Sequence, residues 1–295
     1  MLLAFLLGSG AVTVQPSVRL MASAGVDKAA DKTQHATLKP AAARAADIPL
    51  YDFDFQAEQQ LLDLANQSRA QAAVPLLTID SGLSSAARTH AQAMLEAGQL
   101  SHQFDGEPSL AQRLAAATRL QLDQEGENVA FDSNAEQGHQ HLMLSPPHRA
   151  NLLNPAYNVV GLGTVRDGDR LYIVEDFGHA LPNFSSAEVK DRAATALNQM
   201  RRQAGQPELQ RRDLLAADDA ACSMAQADKL GTSPIQQLAE RYTVLTYTSL
   251  RPETLPAGAS EAITRYHLRS FSVGACYSRT ETYPTGLYWI VLALD

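Results

Sequence analysis

The chain has 295 residues, 45% hydrophobic and 19% charged, with 17 Gly and 14 Pro. That composition excludes wholesale disorder, collagen-like repeats and a coiled-coil rod, and leaves room for about two domains. The net charge of −8 is uneven: residues 51–182 carry 7 basic and 17 acidic groups with no lysine, whereas residues 183–295 carry 12 of each, which argues against nucleic acid as a partner and suits cations.

The opening MLLAFLLGSGAVTV is apolar but shorter than the ~20 residues a membrane-spanning helix needs. It reads as a secretory signal over residues 1–24, with Ala22-Ser23-Ala24 as the cleavage site, and predicts a secreted chain, periplasmic or extracellular, without a transmembrane segment. Residues 25–50 mix Ala, Lys, Asp and Pro without a hydrophobic period and read as a linker. The folded part begins near Tyr51. Leu61, Leu62, Leu64 and Ala65 recur at helical spacing. Asp80-Ser81 caps a second helix with a stripe of Leu83, Ala86, Ala87, Ala91, Met94 and Leu95, and Gly98 stops it. Ser133-Asn134-Ala135-Glu136 reads as a capping box opening a helix to about Leu144. Ser145, as N-cap, and Pro146-Pro147 start another. Residues 158–163 and 171–177 read as a hairpin. Helices followed by strands predict an α+β domain over 51–182.

Residues 183–295 repeat the plan. Ser185-Ser186-Ala187-Glu188 is a capping box, Asn198 and Arg201 echo Asn66 and Arg69, and Pro207 echoes Pro75. Gly274 echoes Gly161 at a separation of 113, against 132 for Asn198 and Asn66, so the second segment is shorter in its middle. A tandem repeat with a degenerate second copy is the expectation. Cys222 and Cys276, the two cysteines, are a disulfide candidate that would add ~3–4 kcal/mol. The repeat places Cys222 opposite His90 and Cys276 opposite Gly163. His90 reads as a partly buried helix residue. His139 and His141 face different directions on their helix, and His179 has no evident partner.

Leu100-Ser101-His102, Gly126-Glu127-Asn128-Val129-Ala130 and the run Ser145-Pro146-Pro147-His148-Arg149-Ala150-Asn151-Leu152-Leu153 occur in that order. With LLDLANQSR at 61–69 and the closing hairpin, they resemble the CAP superfamily (SCP or PR-1-like domains: cysteine-rich secretory proteins, antigen 5, pathogenesis-related proteins), bacterial secreted type, over about residues 55–180. The resemblance implies a three-layer α-β-α sandwich with an open cleft where the family gathers two histidines and two glutamates. His102, Glu127 and His148 match three of those positions. The fourth falls on Ser145, with Glu136 and Asp132 as nearby acids. Asn128 reads as a backbone-bonding residue that shapes the loop, and Arg149 and Asn151 as belonging to the short helix.

Two imidazoles and a carboxylate can hold Zn²⁺ or another divalent cation with a position left for water. The same three residues could instead bond one another and brace the cleft wall. The leading expectation is a protein that binds a divalent cation or a small ligand, lipids included, at the cell envelope or outside the cell. An alternative is a metal-assisted peptide or ester hydrolase with Glu127 as ligand or general base. A set of Ser145 as nucleophile, His148 as base and Glu127 as orienter can also be written, as can an interaction scaffold with a vestigial cleft.

Overall fold

The structure, a computed structural model, describes residues 52–295; the signal segment and linker expected at 1–24 and 25–50 lie outside the described residues. Asp54 caps α1 (Phe55–Gln71) by accepting from the Ala57 amide at 2.9 Å, and Asp80 caps α2 (Ser81–Ala97) by accepting from the Leu83 amide at 2.8 Å. Between them lies the short strand β1 (Thr78–Ile79). There follow α3 (Leu110–Ala117), β2 (Gln121–Asp132), α4 (Ala135–Leu144), α5 (Pro146–Leu152), β3 (Val159–Asp167) and β4 (Arg170–Leu181). The sheet order is β1-β3-β4-β2, with β1 parallel to β3 and the other pairs antiparallel.

Alternation along the strands sends side chains to opposite faces. Ala130, Leu162, Ile173 and Phe177 pack with Leu61 of α1, Leu142 of α4 and Leu152 of α5. Val129, Val165, Tyr172 and Val174 pack with Ala87, Ala91 and Met94 of α2. The first module is thus the α-β-α sandwich expected.

A second four-stranded sheet follows, made of β5 (Gln210–Arg211), β6 (Thr243–Ser249), β7 (Ser270–Ser278) and β8 (Leu287–Leu294) in the order β5-β7-β8-β6. Its helices are α6 (Ser186–Gln203), α7 (Leu215–Gln226), α8 (Gln236–Ala239) and α9 (Ala259–Ile263). The two sheets share strand order and pairing sense.

They also share unusual anchors. Arg69, fully buried, donates to the carbonyls of Pro75, Leu152, Asn154 and Tyr157, and Arg201 to those of Pro207, Ile263 and Arg265. Asn66 bonds the Leu77 backbone from both ends of its amide, as Asn198 does Leu209. These arginines lace a helix end to distant loops, so α9 stands where α5 stands in the first module, and no counterpart of α4 lies between β6 and α9.

The same comparison moves one cysteine. A Cβ on Gly161 would meet the Leu83 carbonyl carbon at 2.1 Å, and one on Gly274 the Ala217 carbonyl carbon at 2.1 Å. Beside these close approaches, Ser84 accepts from the Leu162 amide and Asp218 from the Ala275 amide. Ser84 therefore matches Asp218, which puts Cys222 opposite Arg88 and not His90. The two-residue slip arises because the loop between β5 and α7 is longer than the one between β1 and α2. Cys222 and Cys276 form the disulfide, where the first module has only the contact of Gly163 with the backbone of Ala87 and Arg88.

Two capping assignments change. Asn134, not Ser133, caps α4 by accepting from the Gln137 amide at 3.0 Å, while the Ser133 hydroxyl donates to the Gln137 side chain. The helix starts one residue later than the capping box required, and Glu136 is left exposed. Ser145 does stand at the N-cap of α5, but its side chain makes no cap bond.

Candidate functional site

Glu127 lies within strand β2, paired with Asp176 across the ladder. One oxygen of its buried carboxylate accepts from His102 Nδ1 at 2.8 Å, and the other accepts from Arg113 Nη2. Arg113 comes from α3; its Nη1 also donates to the His102 carbonyl at 3.2 Å and lies 3.3 Å from Glu107 Oε1. The loop carrying His102 is wrapped around a second histidine. His90 of α2, with no exposed surface, has Nδ1 2.7 Å from Glu107 Oε1 and Nε2 2.7 Å from the Ser101 carbonyl. Both ring nitrogens face acceptors, so the ring fixes the loop at two points. Burial alone would raise the Glu107 carboxyl; the Phe104 amide, the His90 ring and Arg113 outweigh it and hold the group below its ordinary range. In the second module Met224 stands where His90 stands.

His148 is held by the backbone of α5. Asn128 donates to the His148 carbonyl at 3.1 Å, and Asn151 to the Glu127 carbonyl and the Asn128 side chain at 3.1 and 3.0 Å. Asn128 does bond backbone, as expected, but from within a strand, where it ties β2 to α5 and does not shape a loop. The His148 ring makes no hydrogen bond or ion pair among the described residues. Burial first, then the charge of His102, lowers its pKa, so at neutral pH it presents a lone pair.

The structure thus brings His102 and Glu127 into contact and His148 within electrostatic reach of His102. Each Glu127 oxygen is already engaged by one partner. Its bond to Nδ1 fixes the His102 ring so that the more exposed ring can turn Nε2 outward, as an orienting carboxylate does behind a ligand histidine. Among the described residues no three or more His, Cys, Asp or Glu side chains converge as a metal cluster. Of the three expected ligands, the His102 and His148 rings each keep a nitrogen that makes no hydrogen bond among the described residues.

On β4, opposite Glu127 and Asn128, lie two buried acids, Asp176 and Glu175. Asp176, fully buried, finds no donor for either oxygen; burial, then the neighbouring Glu127 charge, raises its pKa well above the ordinary carboxylate range. Glu175 accepts from Asn128 at 3.0 Å, and burial pushes it up to about 7.

Other candidates disperse. Ser145 makes no bond to His148. His139 bonds Ser68 at 2.9 Å and His141 bonds Asp132 at 2.5 Å, on separate sides of α4. His179 does have a partner, Asp123 Oδ1 at 2.5 Å. Arg113, Glu107 and Asp176 escaped the sequence reading. The Ser109-Leu110-Ala111-Gln112 capping box of α3 would have pointed to Arg113, and the Glu175-Asp176 pair inside an apolar strand to the buried acids.

Residues 62–177 match the family described as the cysteine-rich secretory protein family, CAP. Among solved structures, an extracellular protein containing a SCP domain from Bacillus anthracis is 29% identical, with 42% of this chain and 40% of that one covered, at a TM-score of 0.39. An outer surface protein from Borrelia burgdorferi is 17% identical, covering 45% and 100%, at 0.41. NaASP2, solved with Zn²⁺, is 15% identical, covering 45% and 84%, at 0.33. The chain spans less than half of the Bacillus protein's length. No curated protein matches it.

Proposed function

We propose that residues 62–177, which match the CAP family, are a domain of that family and that the chain is an exported protein whose cleft binds a divalent cation, or a small ligand through one, at the cell envelope or outside the cell. The observation that carries this reading is the imidazole pair. The His102 ring is oriented through Nδ1 by Glu127, and His148, within electrostatic reach of it, has a ring without a hydrogen-bond partner among the described residues and a lowered pKa. His102 and His148 would hold the ion; Zn²⁺ so bound supplies Lewis acidity toward a ligand oxygen. The disulfide supports export, because such bonds persist in oxidising compartments. Leu100 and Leu144, both exposed, stand shortly before His102 and His148 and suit a ligand with an apolar part.

A hydrolase needs Glu127 free as a base, and its engagement by His102 and Arg113 weighs against that reading. The second module is read as a degenerate copy of the first. By strand register Glu127, Asn128, Glu175 and Asp176 correspond to Thr246, Tyr247, Ile290 and Val291, so the acids and amide of the cleft are replaced while the scaffold anchors at Arg201 and Asn198 persist.

Calorimetric titration with Zn²⁺ tests the proposal. The wild type should bind, and the double variant His102→Ala, His148→Ala should lose the heat. Equal heats in both would leave only a scaffold with a vestigial cleft.

A further inference from the structure

Among the described residues Arg113 is the one side chain that hydrogen-bonds both the Glu127 carboxylate and the backbone of His102, so the placement of His102 against Glu127 depends on where α3 sits. An eight-residue helix is marginal by itself. Its N-terminus is closed locally by the Ser109–Gln112 capping box, but at its C-terminus Thr118 is already extended and returns a single bond, to the Leu114 carbonyl. The next carbonyl is closed from the other module. Arg279, just past β7, donates Nη1 to the Ala115 carbonyl at 2.8 Å and Nη2 to the Leu120 carbonyl at 3.1 Å, bridging the turn from α3 into β2. A cation at a helix C-terminus is also favoured by the helix dipole.

Three further bonds from residues 183–295 continue along the same stretch. Gln121 donates to the Gly286 carbonyl, Thr285 donates to the Leu122 carbonyl, and Arg251 pairs with Asp123, each at 3.1 Å. These five bonds all fall on residues 115–123, the segment joining the helix that carries Arg113 to the strand that carries Glu127.

We propose that the second module is an intramolecular brace for the cleft: Arg279 is a positioning residue that closes the end of α3, keeps Arg113 on Glu127 and thereby holds His102 in its Nδ1-bonded orientation. A module without cleft acids of its own thus sets the geometry of its neighbour. Only the affinity readout below rests on the cation-binding reading; the geometric readouts do not.

The test uses the full chain labelled with ¹⁵N-histidine, with His102→Gln to assign the His102 signals. In the wild type His102 should show the Nδ1–H tautomer. In Arg279→Ala it should move toward the mixture of a solvated imidazole, amides of residues 110–122 should exchange about tenfold faster, and β6–β8 should keep their protection. Zn²⁺ affinity should weaken by about fivefold to tenfold. Arg279→Lys, which keeps the charge and one donor, should restore part of each effect. Should Arg279→Ala unfold the chain, Arg279→Lys and Thr285→Val carry the same readouts, each expected to shift the His102 signals part of the way. A His102 tautomer and an exchange pattern unchanged from the wild type overturn the brace. Absence of a Zn²⁺ heat in the wild type overturns the binding reading alone.

Discussion

Glu175 receives one donor, the Asn128 amide, and is otherwise sealed from water, which pushes its carboxyl from an ordinary 4.5 up to about 7. A raised acid favours folding while the folded chain keeps a proton that the unfolded chain has lost or would lose. The contribution is complete below about pH 4.5 and is lost as pH rises through about 7. At about 1.4 kcal/mol per unit, the loss is on the order of 3 kcal/mol. His139 acts oppositely: burial lowers its pKa from 6.5, so its contribution is present above that value and lost as pH falls. Comparison with Glu175→Gln cancels the other titrating groups, since Gln keeps an acceptor for Asn128. In urea unfolding, the wild type should lose stability relative to the variant between pH 5 and pH 8. An equal pH dependence in both would show that Glu175 ionises in the folded chain at its ordinary value.

At the scale of elements, the contact of α7 with β7 is where the second module departs most from the first. Gly274 lets the α7 backbone approach β7 as Gly161 lets α2 approach β3, and two residues on the covalent bond between Cys222 and Cys276 takes over. The bridge closes a separation of 54 residues and should contribute ~3–4 kcal/mol by restricting the unfolded chain. Cys222→Ser with Cys276→Ser should lower the unfolding free energy by that amount and leave the His102 signals in place. A loss below ~1 kcal/mol would mean that the packing of Met224, Trp289 and Val291 already fixes the contact.

Among the helices, α2 was legible in the sequence because its cap and apolar stripe agree, while α1 was read from its apolar spacing and α6 from its capping box. β2 was not. Its residues QLDQEGEN lack strand character because it is an edge strand, and the inner positions that should be apolar hold Glu127 and Asn128. α3 is too short to show a period. The ordered motif set pointed to His102, Glu127 and His148, but Arg113 and His90, which hold Glu127 and the loop of His102, are brought there only by tertiary contact. The offset that misplaced Cys222 came from carrying one repeat spacing across a loop of different length.

Over the whole molecule, charge is segregated: residues 51–182 have 17 acidic and 7 basic groups, while residues 183–295 are balanced. The imidazole pair therefore sits in the half whose field draws cations in and turns polyanions away. The buried acids add little to that field, since Asp176 and Glu175 have raised pKa values; it comes from exposed carboxylates such as Asp63, Asp105 and Asp169, which salt screens. The Debye length falls from about 30 Å at 0.01 M to about 10 Å at 0.1 M salt. Zn²⁺ affinity measured by calorimetry should accordingly weaken severalfold across that range and then level off as the field is screened. The levelled value should still depend on His102 and His148. A neutral ligand bound in the same cleft should show no such slope. Salt-independent Zn²⁺ binding would place the ion away from the acidic half and remove the link between the charge of the chain and its cleft.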